Sequence, residues 1–189
     1  MSGEKRFSRV EATEVADDII HRLRSSCLRI CAAGSLRRGK EGVGDIEILY
    51  VPRFEDENDP GDMFRKMTVN LADVRIECDM AGILERRLNS LGREMYGPLN
   101  KLMRHVASGI PVDLFSATED NWFNYLVCRT GPADLNARIA GEAKRIGWKW
   151  HPYGSGFTAL DNGQESRVEC ERDVFDFVGI PYMEPGERR

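Results

Sequence analysis

The chain has 189 residues, 31% of them charged and 41% hydrophobic, with a formal net charge of −4 and a sequence pI near 5.5. That length supports one good core or two small lobes sharing an interface, and the acidic balance argues against a general nucleic-acid coat protein. No run approaches the roughly 18 apolar residues of a membrane span, and the start, Met1 to Arg6, lacks the apolar segment of a signal peptide, so a cytoplasmic protein with no membrane partner is expected.

In chain order, residues 8–24 predict an amphipathic helix: Ser8 and Glu11 have capping-box spacing, and Ala12, Val15, Ala16, Ile19, Ile20 and Leu23 recur at helical intervals. Leu28 to Ala33 is a short apolar strand running into Gly34-Ser35, and Asp45 to Val51 is a second strand ended by Pro52. Residues 53–62 are polar, acidic and contain Pro60-Gly61, which predicts an exposed, mobile excursion. A helix is expected in 81–91, strands at Leu99 to Val106 and Ile110 to Phe115, and a helix through 119–128. Gly131 and Pro132 then open the best punctuated helix, with Leu135, Ile139 and Ile146 on one side and Gly147 at its end. The aromatic, Gly-rich stretch 148–157 predicts a small hairpin sheet, and a last short helix carrying Val174, Phe175 and Val178 stops at Gly179. The pattern is α+β with a mixed α/β first two-thirds.

Two strands carry the chemistry. Asp45 and Glu47 stand two apart in Asp45-Ile46-Glu47-Ile48-Leu49, so both carboxylates leave one face of the strand while Ile46 and Ile48 enter the core. Adjacent carboxylates repel, and a cation between them removes that cost; hard ions such as Mg²⁺ take oxygen ligands of this kind. Asp113 is a third acid inside an apolar strand, where a charge is unusual unless paired or metal-bound. If the strands are neighbours, the three acids can hold two metals roughly 4 Å apart, the arrangement for in-line phosphoryl transfer. An Asp-x-Glu alone also fits a solvated edge. The preceding loop, Gly34-Ser35-Leu36-Arg37-Arg38-Gly39-Lys40, favours the metal reading, since Gly permits close backbone approach, Ser offers a hydroxyl and Arg38 can grip phosphate.

Other features are less specific. The cysteines Cys27, Cys31, Cys78, Cys128 and Cys170 form no CxxC pair, so reduced thiols are expected and a structural zinc site is not. His21, His105 and His151 have no partner spacing and carry no expected catalytic role. Trp148, Trp150, His151 and Tyr153 fit a small core better than base stacking. Arg86, Arg87, Arg93, Lys101 and Arg104 fit a phosphate track or a solvated face equally well, and Arg138, Lys144, Arg145 and Lys149 favour template contact.

Gly34-Ser35 followed by Asp45-x-Glu47 resembles the signature of the polymerase-beta-like nucleotidyltransferase superfamily, and the fuller strings at 34–40 and 43–48 resemble family X DNA polymerases. Gly109 to Phe115 resembles that family's third-carboxylate strand, Arg129-Thr130-Gly131-Pro132 with Asn136 its turn and helix at the nucleotide, and Asp173 through Gly179-Ile180-Pro181-Tyr182 to Arg188 its C-terminal region. The likeness covers about residues 8–189 and is to short palm-plus-thumb forms of phages and bacteria, so the resemblance implies a bacterial cell or phage-infected host.

The resemblance implies a nucleotidyltransferase palm with a mixed sheet and flanking helices over 1–118, and a small α+β thumb over 119–189. It implies two Mg²⁺ ions, or Mn²⁺, on Asp45, Glu47 and Asp113, with β- and γ-phosphates held by Gly34, Ser35, Arg38 and the Gly44 backbone. It sets Arg129, Thr130, Gly131 and Pro132 at the nucleotide, the last two against its sugar across a cis peptide, and Asn136 at its base. The expected partners are a nucleoside triphosphate and a primer/template or gapped DNA, bound by a monomer. Three departures stand out: Glu47 replaces the usual Asp, Cys128-Arg129 replaces an aromatic pair, and Pro111 stands where polymerase beta has a basic residue. The second predicts weak discrimination between ribo- and deoxyribonucleotides. The segment before Gly34 is too short for a lyase or helix-hairpin-helix module, so no lyase activity is expected. The competing readings are a template-independent transferase acting on nucleic-acid ends or a small acceptor, and a non-catalytic nucleotide- or DNA-end-binding module.

Overall fold

The computed structural model describes residues 5–59 and 62–188. In chain order the elements are β1 (Phe7–Ser8), α1 (Arg9–Leu23), β2 (Cys27–Ala32), the single turn α2 (Gly34–Arg37), β3 (Gly42–Val43), β4 (Ile46–Pro52), β5 (Phe54–Asp59), β6 (Asp62–Asn70) and α3 (Leu71–Cys78). There follow β7 (Leu84–Arg86), β8 (Asn100–His105), β9 (Pro111–Ser116), α4 (Trp122–Thr130), α5 (Ala133–Arg145), β10 (Trp148–Trp150), β11 (Gly156–Ala159), β12 (Glu165–Arg167) and α6 (Glu171–Phe177). The first helix starts where its cap predicts, with Ser8 accepting a hydrogen bond from the Glu11 amide at 3.2 Å.

Five strands form a mixed sheet in the order β2-β4-β9-β8-β7, with β4 and β9 parallel and the other pairs antiparallel. Alternation along β4 and β9 divides their side chains between two layers. Ile46, Ile48, Tyr50, Val112 and Leu114 pack with Ala12, Ala16, Ile19 and Leu23 of α1 and with Ala72 and Ile76 of α3. Leu49, Val51 and Phe115 pack on the opposite side with Trp122, Tyr125 and Leu126 of α4. By the same period of two, Asp45, Glu47 and Asp113 belong to the α4 side, beyond the end of that apolar layer.

The C-terminal part has its own core. Leu135, Ile139 and Ala143 of α5 meet Trp150, Phe157, Val174 and Phe175, and Trp148 packs edge-on against Phe177. The tryptophans are therefore structural: Trp150 is buried and donates its indole N–H to Asn124 at 2.7 Å. All five cysteines are free, and no helix among the described residues is long and apolar enough to cross a membrane.

Two expectations are corrected. The polar stretch 53–62 is exposed as expected over 53–57, but it is paired and not a free excursion: β5 joins β6 in an antiparallel ladder, while Pro60-Gly61 lies outside the described residues. A two-stranded hairpin needs no buried face, so it leaves no apolar alternation to read. No helix forms at 81–91; α3 lies earlier, with Asn70 accepting from the Asp73 amide at its start, and Leu84–Arg86 extends the main sheet by pairing with Met103–His105. The buried contribution of α3 is only Ala72 and Ile76, too sparse to mark a periodicity.

Candidate active site

The parallel pairing of β4 with β9 sets Glu47 directly opposite Asp113. Glu47 is flanked by Ile46 and Ile48, both fully buried, so the backbone is anchored and the acid has little freedom to move away from its neighbour. Burial first, and then the neighbouring Asp45, raise the Glu47 carboxyl to about 7 against the opposing pull of Arg129 and Arg38. Asp113 is also raised by burial, against the pull of Arg87. The three acids thus lie within electrostatic reach of one another, the condition that the sequence reading left to the pairing of their strands.

Gly34 is required here in two ways. Its φ is +60°, and a Cβ on it would sit 2.1 Å from Glu47 Oε2, so only glycine lets the α2 turn lie against that carboxylate. The Ala33 amide also donates to the Glu47 carbonyl at 2.8 Å, which ties the loop to β4. Arg38 ends the turn and donates from Nη1 to the Thr130 carbonyl, and Gly131 is left so close that its Cβ would meet Arg38 Nη1 at 3.4 Å. The Gly131-Pro132 peptide is cis. Asn136 donates to the Cys128 carbonyl at 2.8 Å. Four polar atoms in these residues are buried without a hydrogen-bond partner: Ser35 Oγ, Arg38 Nε, Arg129 Nε and Asn136 Oδ1. Buried polar atoms are nearly always satisfied, so each exception calls for a reason such as a bound water or ion, strain or a catalytic role. The loop and turn residues that sequence assigned to one nucleotide are therefore brought together: Arg38, Thr130 and Gly131 by direct contact, and Gly34 through Glu47.

Two arginines in the site make contacts to the acids that the sequence does not assign: Arg87, expected on a phosphate track or a solvated face, and Arg129, expected at the nucleotide. Arg87 donates to Asp113 Oδ1 and to the Met103 carbonyl, the latter at 3.1 Å. It supplies a basic neighbour for the third acid from the residue after β7, where Pro111 cannot. The sequence signal was the deficit itself, since an acid in an apolar strand whose local neighbour is proline needs a distant cation. Arg129 is the other. Its guanidinium lies 3.5 Å from the Phe115 ring centroid, 5.3 Å from that of Tyr125 and 5.2 Å from that of Tyr153, with Nη1 3.7 Å from Glu47 Oε1. Aromatic faces hold it by cation–π attraction where the related family carries aromatic side chains.

In the loop of residues 34–40, Arg37 donates to Thr130 Oγ1 at 2.7 Å and to both oxygens of Glu171. The buried Arg188 donates to Glu171 at 2.8 Å and to the Met183 carbonyl at 3.0 Å. Burial alone raises the Glu171 carboxyl, but Arg37 and then Arg188 outweigh it and hold it below its ordinary value.

The remaining cations divide. Lys101 is buried and donates to Asp73 at 2.8 Å, so it belongs to neither a phosphate track nor a solvated face. Arg86 pairs with Glu94 at 2.8 Å. Arg138, Lys144, Arg145 and Lys149 are all exposed on α5 and β10; Arg145 pairs with Glu142 at 2.6 Å, and none has a hydrogen bond or ion pair to the acids. No His, Cys, Asp or Glu side chains among the described residues already converge in threes as metal ligands; the oxygen donors that could hold one are Asp45, Glu47 and Asp113. Residues 125–189, from within α4 to the end of the chain, match the family model of the DNA polymerase beta thumb, and that match supports a polymerase-beta-like, family X relationship for this protein.

Proposed function

We propose that the protein is a metal-dependent DNA nucleotidyltransferase, a minimal gap-filling polymerase of the family X kind with a palm over 1–118 and a thumb over 119–189. The observation that carries this reading is the registration of Glu47 against Asp113, with Asp45 coupled to both, beside a loop whose Ser35 Oγ and Arg38 Nε are buried and unpartnered. A thumb of the polymerase beta type implies DNA as the partner.

The donor set fits a hard divalent cation: three carboxylates, all oxygen, two of them raised by burial and mutual repulsion. Binding would exchange the Arg87 and Arg129 contacts of Asp113 and Glu47 for metal contacts. Two Mg²⁺ ions, or Mn²⁺, would supply activation of the attacking hydroxyl and neutralisation of charge on the phosphates. In the reaction the primer 3′-oxygen forms a bond to the α-phosphorus, the bond from that phosphorus to the bridging oxygen breaks, and pyrophosphate leaves.

The chain's own residues orient the two reactants. Ser35, Arg38 and the backbone at Gly34 and Gly44 take the β- and γ-phosphates, with Arg38 as the cation nearest the loop. Gly131 and Pro132 would lie against the sugar, Arg129 and Thr130 would complete that wall, and the buried, unpartnered Oδ1 of Asn136 would be available to the base. Exposed Arg138, Lys144, Arg145 and Lys149 offer sequence-independent phosphate contacts on the thumb.

The test is primer extension with Mg²⁺ or Mn²⁺ on gapped, recessed and single-stranded DNA, with Asp45→Asn as the control. Template-matched addition, lost in the variant, is the expected result. Indiscriminate addition would assign a template-independent transferase, and nucleotide binding without addition under either metal would assign a binding module.

A further inference from the structure

The edge of the main sheet carries a short projection. Leu102 of β8 accepts from the Arg87 amide at 3.0 Å and donates to the Met95 carbonyl at 2.8 Å. The chain therefore leaves the sheet after Arg87 and returns at Met95 against one and the same residue. Leu102 is registered opposite Asp113, and Asp113 opposite Glu47. The projection thus starts in the row of the acids, two strand spacings or roughly 10 Å from the Asp113 backbone.

Its turn is tied throughout. The Asn89 amide donates to the Arg93 carbonyl at 2.9 Å and the Gly92 amide to the Asn89 carbonyl at 3.0 Å. The Asn89 side-chain oxygen accepts from the Leu91 and Arg93 amides at 2.9 and 3.0 Å. Gly92 has a φ of +71°, which a side chain would resist. At the base Leu88 bridges to Glu94, and Arg86 holds Glu94 at 2.8 Å. On this frame Leu91 is 76% exposed, more than any other large hydrophobic side chain among the described residues, and Leu88 is 60% exposed. Arg93 is exposed beside them, and no acid lies between Leu88 and Arg93. A scattered surface leucine needs no explanation. An apolar apex on a backbone already fixed is different, because burying it against a partner costs little ordering.

We infer that this turn is an apolar wedge: Leu91 enters the base stack of the duplex about three base steps from the acids, taking 3.4 Å per step, and fixes the register of the duplex end on them. The inference rests on the nucleotidyltransferase reading above and adds to it a positioning residue that acts through bases and not through phosphates. A duplex whose end lies at the acids has to pass a projection that stands in their row. The tip carries a cation and no acid, which suits a polyanion. Leucine inserted at a base step partly unstacks it, and burial of the side chain offsets that cost. Such a contact releases no counterions, so unlike a phosphate contact it is indifferent to salt.

The experiment compares Leu91→Ser, Leu91→Met and Arg93→Ala with wild type, all checked for wild-type stability in urea. A recessed-end duplex carrying 2-aminopurine at about the third base pair from the primer end is titrated in Ca²⁺ over a salt series. Wild type at saturation is expected to brighten the probe, because the base is unstacked. Leu91→Ser is expected to bind about tenfold more weakly, with an unchanged slope of log K against log salt and no brightening at saturation. Leu91→Met is expected to restore both, and Arg93→Ala to lower the slope by about 1. Wild-type binding and brightening in Leu91→Ser, or weaker binding with brightening kept at saturation, would overturn the wedge while primer extension still supports the reading beneath it. A dimeric wild type in sedimentation, with Leu91→Ser monomeric and unchanged in duplex binding, would overturn it in favour of a contact between copies. A wild type that binds no duplex and extends no primer would sink the underlying reading instead.

Discussion

Replacing Glu47 by glutamine tests the electrostatics of the site without reference to catalysis. The carboxyl is raised from 4.5 to about 7, first by burial and then by Asp45, and its side chain is only 20% exposed. Because the folded chain holds this proton more tightly than the unfolded chain, the group's stabilising contribution is complete below pH about 4.5 and is lost as the pH rises to about 7. At roughly 1.4 kcal/mol per pH unit that loss is about 3 kcal/mol. Glutamine keeps the shape and cannot ionise, so in EDTA at pH 8 Glu47→Gln should be more stable than wild type. The gain should be about 1–3 kcal/mol, reduced from the full figure because Arg129 loses an acidic neighbour at 3.7 Å. At pH 5 the two proteins should differ by less than about 1 kcal/mol. Urea unfolding at the two pH values reads this directly. Excess Mg²⁺ should then raise the wild-type midpoint at pH 8 and leave the variant nearly unmoved, by the linkage of binding to folding. A variant no more stable than wild type at pH 8, or equally favoured at both pH values, would refute the account of a strained carboxylate cluster.

Three other outcomes follow from single contacts. Glu171→Ala leaves the buried Arg188 and half-buried Arg37 without their shared acid, and should cost about 3–5 kcal/mol in urea unfolding; a loss below about 1 kcal/mol would show that the network holds nothing together. Gly34→Ala combines a φ of +60° with a Cβ 2.1 Å from Glu47 Oε2, so nucleotide addition in single-turnover assays should fall more than tenfold for a stability change of about 1–3 kcal/mol. With Arg129 held on Phe115 where a rigid ring would screen the sugar, kcat/KM for ribo- and deoxyribonucleotides should agree within about tenfold; a strong deoxy preference would contradict this.

How much of the site could be read in advance depended on whether its signal was local. Asp45, Glu47 and Asp113 were legible because a charge flanked by buried aliphatics needs a reason, and strand alternation fixes its face without knowledge of the partner strand. The turn at Gly131-Pro132 and the helix after it were legible from capping chemistry. What failed was non-local. Arg87 meets Asp113 across 26 residues and Arg37 meets Glu171 across 134, and neither arginine differs in its own neighbourhood from a surface residue. Lys101 reads as a surface cation for the same reason, although its ammonium is buried against Asp73. The hairpin of β5 and β6 was missed from the opposite cause: its stability lies in backbone pairing, which side-chain pattern does not record.

The distribution of compensated charge gives a separate argument for where the anionic ligand belongs. Five guanidiniums (Arg37, Arg38, Arg87, Arg129 and Arg188) lie partly or fully buried around the seam between the sheet and α4–α6. Burying a cation is costly unless an acid or several acceptors meet it. Arg37 and Arg188 share Glu171, and Arg87 has Asp113. Arg129 reaches Glu47 at 3.7 Å, beyond hydrogen-bond range, and Arg38 has the neutral Thr130 carbonyl. Both also keep a buried Nε with no partner, and burial lowers Arg38 below its ordinary value. Arg188 also keeps one buried nitrogen without a partner, but its charge meets Glu171, whereas beside Gly34, Ser35 and Gly131 Arg129 donates only to the Tyr125 hydroxyl at 3.4 Å and Arg38 only to a carbonyl. On the proposed reading, a polyphosphate at that place would supply acceptors to these nitrogens, which a neutral ligand would not.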